Sequence, residues 1–116
     1  MNVLVYVDLH EHEPSYKQLV KKARKADVIV NAGDFTIFEH GLKKWSRKID
    51  KLGKLQLVIP GNHEGITSVK KVCAQSKHLF FLHARAKYLG NVMFIGFGEG
   101  GFSKRDERFE KISKKI

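Results

Sequence analysis

Three short clusters in this sequence carry side chains that a protein core has no packing use for: Asp8-Leu9-His10, Gly33-Asp34 and Gly61-Asn62-His63-Glu64. Carboxylate oxygens, imidazole nitrogens and an amide oxygen together suit borderline divalent cations such as Mn, Fe, Co or Zn. A carboxylate between two such ions roughly 3.5–4 Å apart bridges them, and the pair activates water while holding both oxygens of a phosphoryl displacement. Asp and Asn after strands also serve as turn and cap residues. One cluster alone would therefore decide nothing; three in order point to a site.

Each cluster follows a stretch whose composition predicts a buried strand. Residues 3–7 (VLVYV) form an apolar, largely β-branched run, 27–32 (DVIVNA) carry a second, and 55–59 (LQLVI) have four apolar residues among five positions. Pro60 cannot donate to a ladder and Gly61 permits positive φ, so the third strand stops there. Between the strands lie helical periods. One starts at Pro14 and runs through Tyr16, Leu19, Val20 and Ala23; another carries Leu42, Trp45, Ile49 and Leu52 and stops at Gly53. A third spans residues 67–76, with Val69, Val72 and Cys73 inward and Thr67 or Ser68 as its cap. Strand–helix alternation predicts a parallel α/β sheet whose carboxyl ends, and hence all three clusters, share one edge. Beyond it the sequence predicts strands at 79–82, 86–89 and 92–97, a Gly90-Asn91 turn and a flexible Gly-rich loop at 96–101. A helical tail is expected over 104–116.

Asp-x-His, Gly-Asp and Gly-Asn-His-Glu, in that order on successive strand ends, resemble the calcineurin-like metallophosphoesterase family over essentially the whole chain. The resemblance implies an α/β fold in which a sandwich of two β-sheets is flanked by helices. It implies two divalent metal ions, with Asp8 and His10 on the first, Asp34 bridging and Asn62 on the second. His63 would donate a hydrogen bond to the phosphate or leaving group. The implied reaction is hydrolysis of a phosphomonoester or phosphodiester by metal-activated water, without a covalent phosphoenzyme. The family pattern continues with a further histidine and a Gly-His-x-His, neither of which occurs in these 116 residues. A single domain over 1–116 with an incomplete second half is therefore expected. So are weak metal binding, poor or no hydrolysis by this chain alone, and self-association through sheet surface left uncovered at 79–82 and 92–97.

Composition bounds the rest. With 22 Lys and Arg against 12 Asp and Glu, the net charge is +10. Such a charge favours phosphate-bearing partners, although the lysines sit opposite apolar stripes and read first as solvated helix faces. A single cysteine excludes an internal disulfide framework, and the N-terminus has neither the basic lead nor the apolar length of a signal peptide. No apolar run approaches a membrane span. A cytoplasmic location is the expectation. Glu64 reads as a carboxylate favouring a helix N-terminus, His12, His40, His78 and His83 as surface or packing residues, and Cys73 and Trp45 as core. Two alternatives stand beside the phosphoesterase: a catalytically incomplete binding domain of the same fold, and a basic nucleic-acid-binding protein.

Overall fold

Four parallel strands form one sheet in sequence order, as the alternation predicts. The computed structural model describes residues 1–98, Lys111 and Lys114. Its elements are β1 (Val3–Tyr6), α1 (Glu13–Ala23), β2 (Val28–Asn31), α2 (Leu42–Asp50), β3 (Gln56–Val58), α3 (Ile66–Ala74), β4 (Leu79–Phe81), β5 (Arg85–Leu89) and β6 (Val92–Gly96). The register places Val3 beside Val28, Ile29 beside Gln56, and Gln56 beside Leu79. The tail helix expected over 104–116 lies outside the described residues, apart from Lys111 and Lys114.

Strand alternation divides the sheet into two faces. On one, Ile29 packs against Ala23 of α1, while Val58 and Leu79 join Trp45 and Ile49 of α2 and Val69 and Cys73 of α3. On the other, Val28, Leu57 and Phe80 meet Leu89 and Phe94 of an antiparallel hairpin formed by β5 and β6. The result is a three-layer α/β arrangement in which that hairpin is the second β layer among the described residues.

Local chemistry sets the start of the first helix, and a tertiary contact that of the third. His12 caps α1: its Nδ1 accepts from the Ser15 N–H at 3.4 Å and lies 2.7 Å from the Ser15 hydroxyl. Glu13 follows in the first turn, where the dipole favours an acid. It pairs with Lys48, whose ammonium also lies 4.3 Å from the Trp45 ring centre and 4.6 Å from that of Tyr16. The Lys48 partner holds the exposed Glu13 carboxyl below its usual range. The helix after β3 begins at Ile66 with an extended Gly65 as N-cap and no side-chain cap, not at Thr67 or Ser68. The carboxylate of Glu39, from another loop, accepts the Gly65 N–H at 3.0 Å, so a tertiary contact sets this end.

Three expectations about burial are corrected. Residues 3–7 are not a buried strand, because β1 is an edge whose hairpin-side residues Val3, Val5 and Val7 are 42%, 60% and 53% exposed. The hairpin covers β2 and β3 but does not reach them. The start of the Gly-rich loop is not loose: Gly96 and Gly98 are buried. A Cβ at Gly98 would stand 2.0 Å from the Pro60 carbonyl oxygen, so only glycine fits this approach. The part of that loop beyond residue 98 lies outside the described residues. Finally, Leu79 and Leu82 are themselves buried. Among the described residues, the exposed apolar side chains of the sheet and hairpin are instead Val3, Val5 and Val7 together with Tyr88, Val92, Met93 and Ile95.

Cys73 and Trp45 lie in the core as expected. Burial pushes the Cys73 thiol up to about 12. Since the thiolate is the nucleophile, Cys73 should resist maleimide or iodoacetamide at pH 8 in native protein and react at once in urea. A buried acid with a raised pKa keeps its proton when the unfolded chain has lost it. Stability is therefore complete below the ordinary thiol value of 9.0 and falls as pH rises from there towards about 12. Tyr6 and Tyr16, whose phenols are also raised by desolvation, add to the same alkaline loss. Urea midpoints that stay flat above pH 9.0 would contradict this account.

Candidate metal centre

Backbone pairing between β1 and β2 continues past the strand ends into the loops that carry the clusters. The Asp8 N–H donates to the Gly33 carbonyl at 3.2 Å, His10 to Asp34 at 3.1 Å and Glu11 to Phe35 at 3.0 Å. The buried Asn31 turns the chain at the end of β2, its Oδ1 accepting the Gly33 N–H at 3.0 Å. Two glycines then let the second and third loops touch. A Cβ on Gly33 would lie 2.5 Å from the Gly61 nitrogen, and one on Gly61 would lie 2.1 Å from Asp34 Oδ1. Asp8, His10 and Asp34 all have positive φ, at 57°, 47° and 55°. Asp tolerates this region better than most residues, and strain of about 1–3 kcal/mol per position is typical of ligand clamps.

These loops bring Asp8, His10 and Asp34 together, with one ligand atom from each lying within 4.8 Å of the others. His10 Nε2 stands 3.7 Å from Asp8 Oδ1, shielded from solvent and without a hydrogen-bond partner. A shielded imidazole nitrogen lacking a partner is costly unless something binds it. The Asn62 amide sits 3.0 and 2.9 Å from the two carboxylate oxygens of Asp34. Turned with its nitrogen towards Asp34, the amide donates to both oxygens and ties the third loop to the second. The donor set of two carboxylates, an imidazole and an amide thus fits a divalent metal.

His63 stands at the same edge. Its backbone N–H donates to Asp34 Oδ1 at 2.8 Å, and its ring stacks on that of His10 with centroids 4.8 Å apart. The remaining histidines lie outside the Asp8–His10–Asp34 group. His83 Nδ1 accepts the Gly98 N–H at 2.9 Å, and its ring packs against Phe81 and Phe97. His40 is exposed beside Glu11, and the His78 N–H donates to Asp50.

Glu64 does more than favour the α3 dipole. It is 2% exposed, and its carboxylate accepts from the N–H groups of Asp34 (2.8 Å), Gly61 (3.2 Å) and Thr36 (3.3 Å) and from the Thr36 hydroxyl (2.8 Å). It is a buried clamp joining the loop after β2 to the loop after β3. Sequence reasoning missed this role because every donor but Gly61 lies about thirty residues away in the chain. The N-terminal helix dipole reading accounted for the charge but not for the partners.

A model of the calcineurin-like phosphoesterase family matches residues 1–114. No curated protein and no solved structure matches the chain. The match takes in all three strand-end clusters and nearly the whole sequence, and on it the chain belongs to the calcineurin-like phosphoesterase family.

Proposed function

We propose that this chain contributes to a two-metal phosphoesterase centre, in which Asp8 and His10 would hold one divalent ion, Asp34 would serve both and Asn62 would hold the second. The observation that carries the reading is the Asp8, His10 and Asp34 group at one sheet edge, with the His10 Nε2 shielded and unpartnered beside it. A pair of divalent ions in such a centre supplies Lewis acidity and an activated water at neutral pH. The protein's own contribution is orientation. Glu64 and the two glycines fix the Asp34 backbone, the His63 N–H steadies its carboxylate, and the paired loops fix Asp8 and His10. His63 stands ready to donate a hydrogen bond to a phosphate oxygen or to the leaving group. The substrate class is a phosphomonoester or phosphodiester, and the metals best matched to a mixed oxygen and nitrogen set are Mn, Fe, Co or Zn.

A Mn titration followed by paramagnetic broadening of assigned NMR signals tests the ligand assignment. Broadening should be strongest at Asp8, His10, Asp34 and Asn62 and weaken towards His83 and His78. Broadening centred elsewhere would overturn the assignment. A chromogenic phosphodiester assay then separates the enzyme from its nearest rival, a binding domain that keeps the sheet without a working centre. Metal binding without turnover would select it.

The exposed Val3, Val5 and Val7 support a further expectation, self-association through the β1 face. Open edges and apolar faces of this kind pair with other chains. Sedimentation velocity should show association that grows with concentration and is weakened by Val5→Lys. A strictly monomeric wild type at high concentration would count against it. No helix among the described residues is long and apolar enough to cross a membrane.

A further inference from the structure

We infer that Phe38 is a positioning residue that sets the plane of the His63 imidazole, an inference that rests on the phosphoesterase reading of the site. Phe38 is 73% exposed, so its ring gains little from burial. Its backbone nevertheless adopts φ 49°, a conformation that bulky residues rarely accept. Such strain persists only where the surroundings impose it, and it gathers at functional sites.

The surroundings do impose it. The Ile37 N–H donates to Glu11 Oε2 at 2.9 Å, the His40 N–H to the Ile37 carbonyl at 2.9 Å and the Glu39 N–H to the Thr36 hydroxyl at 3.2 Å. Thr36 is in turn held by the buried Glu64. The loop is braced on both sides to present an aromatic ring that the core does not use.

What that ring meets is His63. Their centroids are 4.2 Å apart and the planes differ by 10°, closer and more nearly parallel than the stack of His63 on His10 at 4.8 Å and 23°. The imidazole is thus sandwiched between two rings. A histidine that must aim one nitrogen is commonly oriented by a hydrogen bond at the other. Nδ1 of His63 is shielded and has no hydrogen-bond partner, so that device is missing. Stacking takes its place, and Phe38 supplies the closer of the two faces.

The test compares Phe38→Gly, Phe38→Leu and Phe38→Trp in the full chain, with His63 ring signals assigned by His63→Gln. Glycine relieves the positive φ while removing the ring. Phe38→Gly should keep or raise the thermal midpoint and move the His63 ring protons downfield as the ring current is lost. Phe38→Trp should restore the upfield position, and Phe38→Leu, which fills space without a π face, should not. Titration with inorganic phosphate in the presence of Mg should show affinity about tenfold weaker in Phe38→Gly, as expected when a hydrogen bond to a charged group is lost. Combining Phe38→Gly with His63→Gln should add no further loss.

His63 signals unmoved in Phe38→Gly would overturn the inference. So would a fall in thermal midpoint that Phe38→Leu repairs together with phosphate affinity, since Phe38 would then be a packing residue. If wild type and Asp34→Asn bind phosphate equally, the phosphoesterase reading fails. The ring shifts would still decide whether Phe38 holds His63, so the two failures are distinguishable.

Discussion

In a protein whose centre is complete enough to turn over, Asp34→Asn should remove divalent-metal binding at this site and, with it, metal-dependent phosphoester hydrolysis. The carboxylate is the one side chain that faces every other member of the group. It shares the cluster with Asp8 and His10, meets the Asn62 amide on both oxygens, and accepts the His63 N–H. Asparagine keeps an oxygen for that N–H, so the loops should stay in place while the charge disappears. His63→Ala, by contrast, removes one hydrogen-bond donor and should retain roughly a hundredth to a thousandth of the rate, with metal binding intact. Calorimetric Mn titration and a chromogenic phosphodiester assay on both variants read the difference. Equal losses of kcat with metal content unchanged in both would contradict a bridging Asp34 and a hydrogen-bonding His63. Wild-type binding is expected to be weaker than micromolar, because the ligands present are rich in oxygen and poor in imidazole. Tight binding of two ions with clear turnover would mean that another histidine, His83 or His78, completes the set.

Glu64→Ala should be the most damaging single change to the fold around the site. It would leave the N–H groups of Asp34, Gly61 and Thr36 and the Thr36 hydroxyl without their acceptor, in a place where little solvent reaches. Unsatisfied buried donors cost about 1–3 kcal/mol each, partly relieved by water entering the gap, so a net loss of about 3 kcal/mol or more is expected. Urea unfolding measures it. Glu64→Gln keeps the shape but turns an amide nitrogen towards donors, and should recover only part of the loss. A variant with alanine at this position and wild-type stability would show that the clamp is dispensable.

Much of this site was legible in the sequence because it is built from strand ends. Apolar runs dictate strands, alternation with helices dictates parallel pairing, and parallel pairing puts successive carboxyl ends side by side. Asp8, His10, Asp34 and Asn62 could therefore be assigned to one edge from the chain alone, and Pro60 with Gly61 marked where the third strand stops. Cys73 and Trp45 followed from helical spacing alone.

What the sequence could not show depends on contacts between distant residues. An apolar run looks the same whether its strand is central or at an edge, so Val3, Val5 and Val7 read as buried until the sheet order put β1 outermost. The hairpin of β5 and β6 covers β2 and β3 because of where it docks, which no local pattern encodes. Gly98 read as part of a loose loop, and only the close approach of the Pro60 carbonyl shows why glycine stands there. Glu64 has an ordinary neighbourhood in the chain, but three of the four donors it accepts from belong to the loop after β2. The Phe38–His63–His10 stack joins three loops, and ring planes are set by tertiary packing. Sequence determined which side chains reach the edge of the sheet. The tertiary structure decided how they are held there, because braces between loops are long-range hydrogen bonds and ring contacts that leave no periodic trace in the chain.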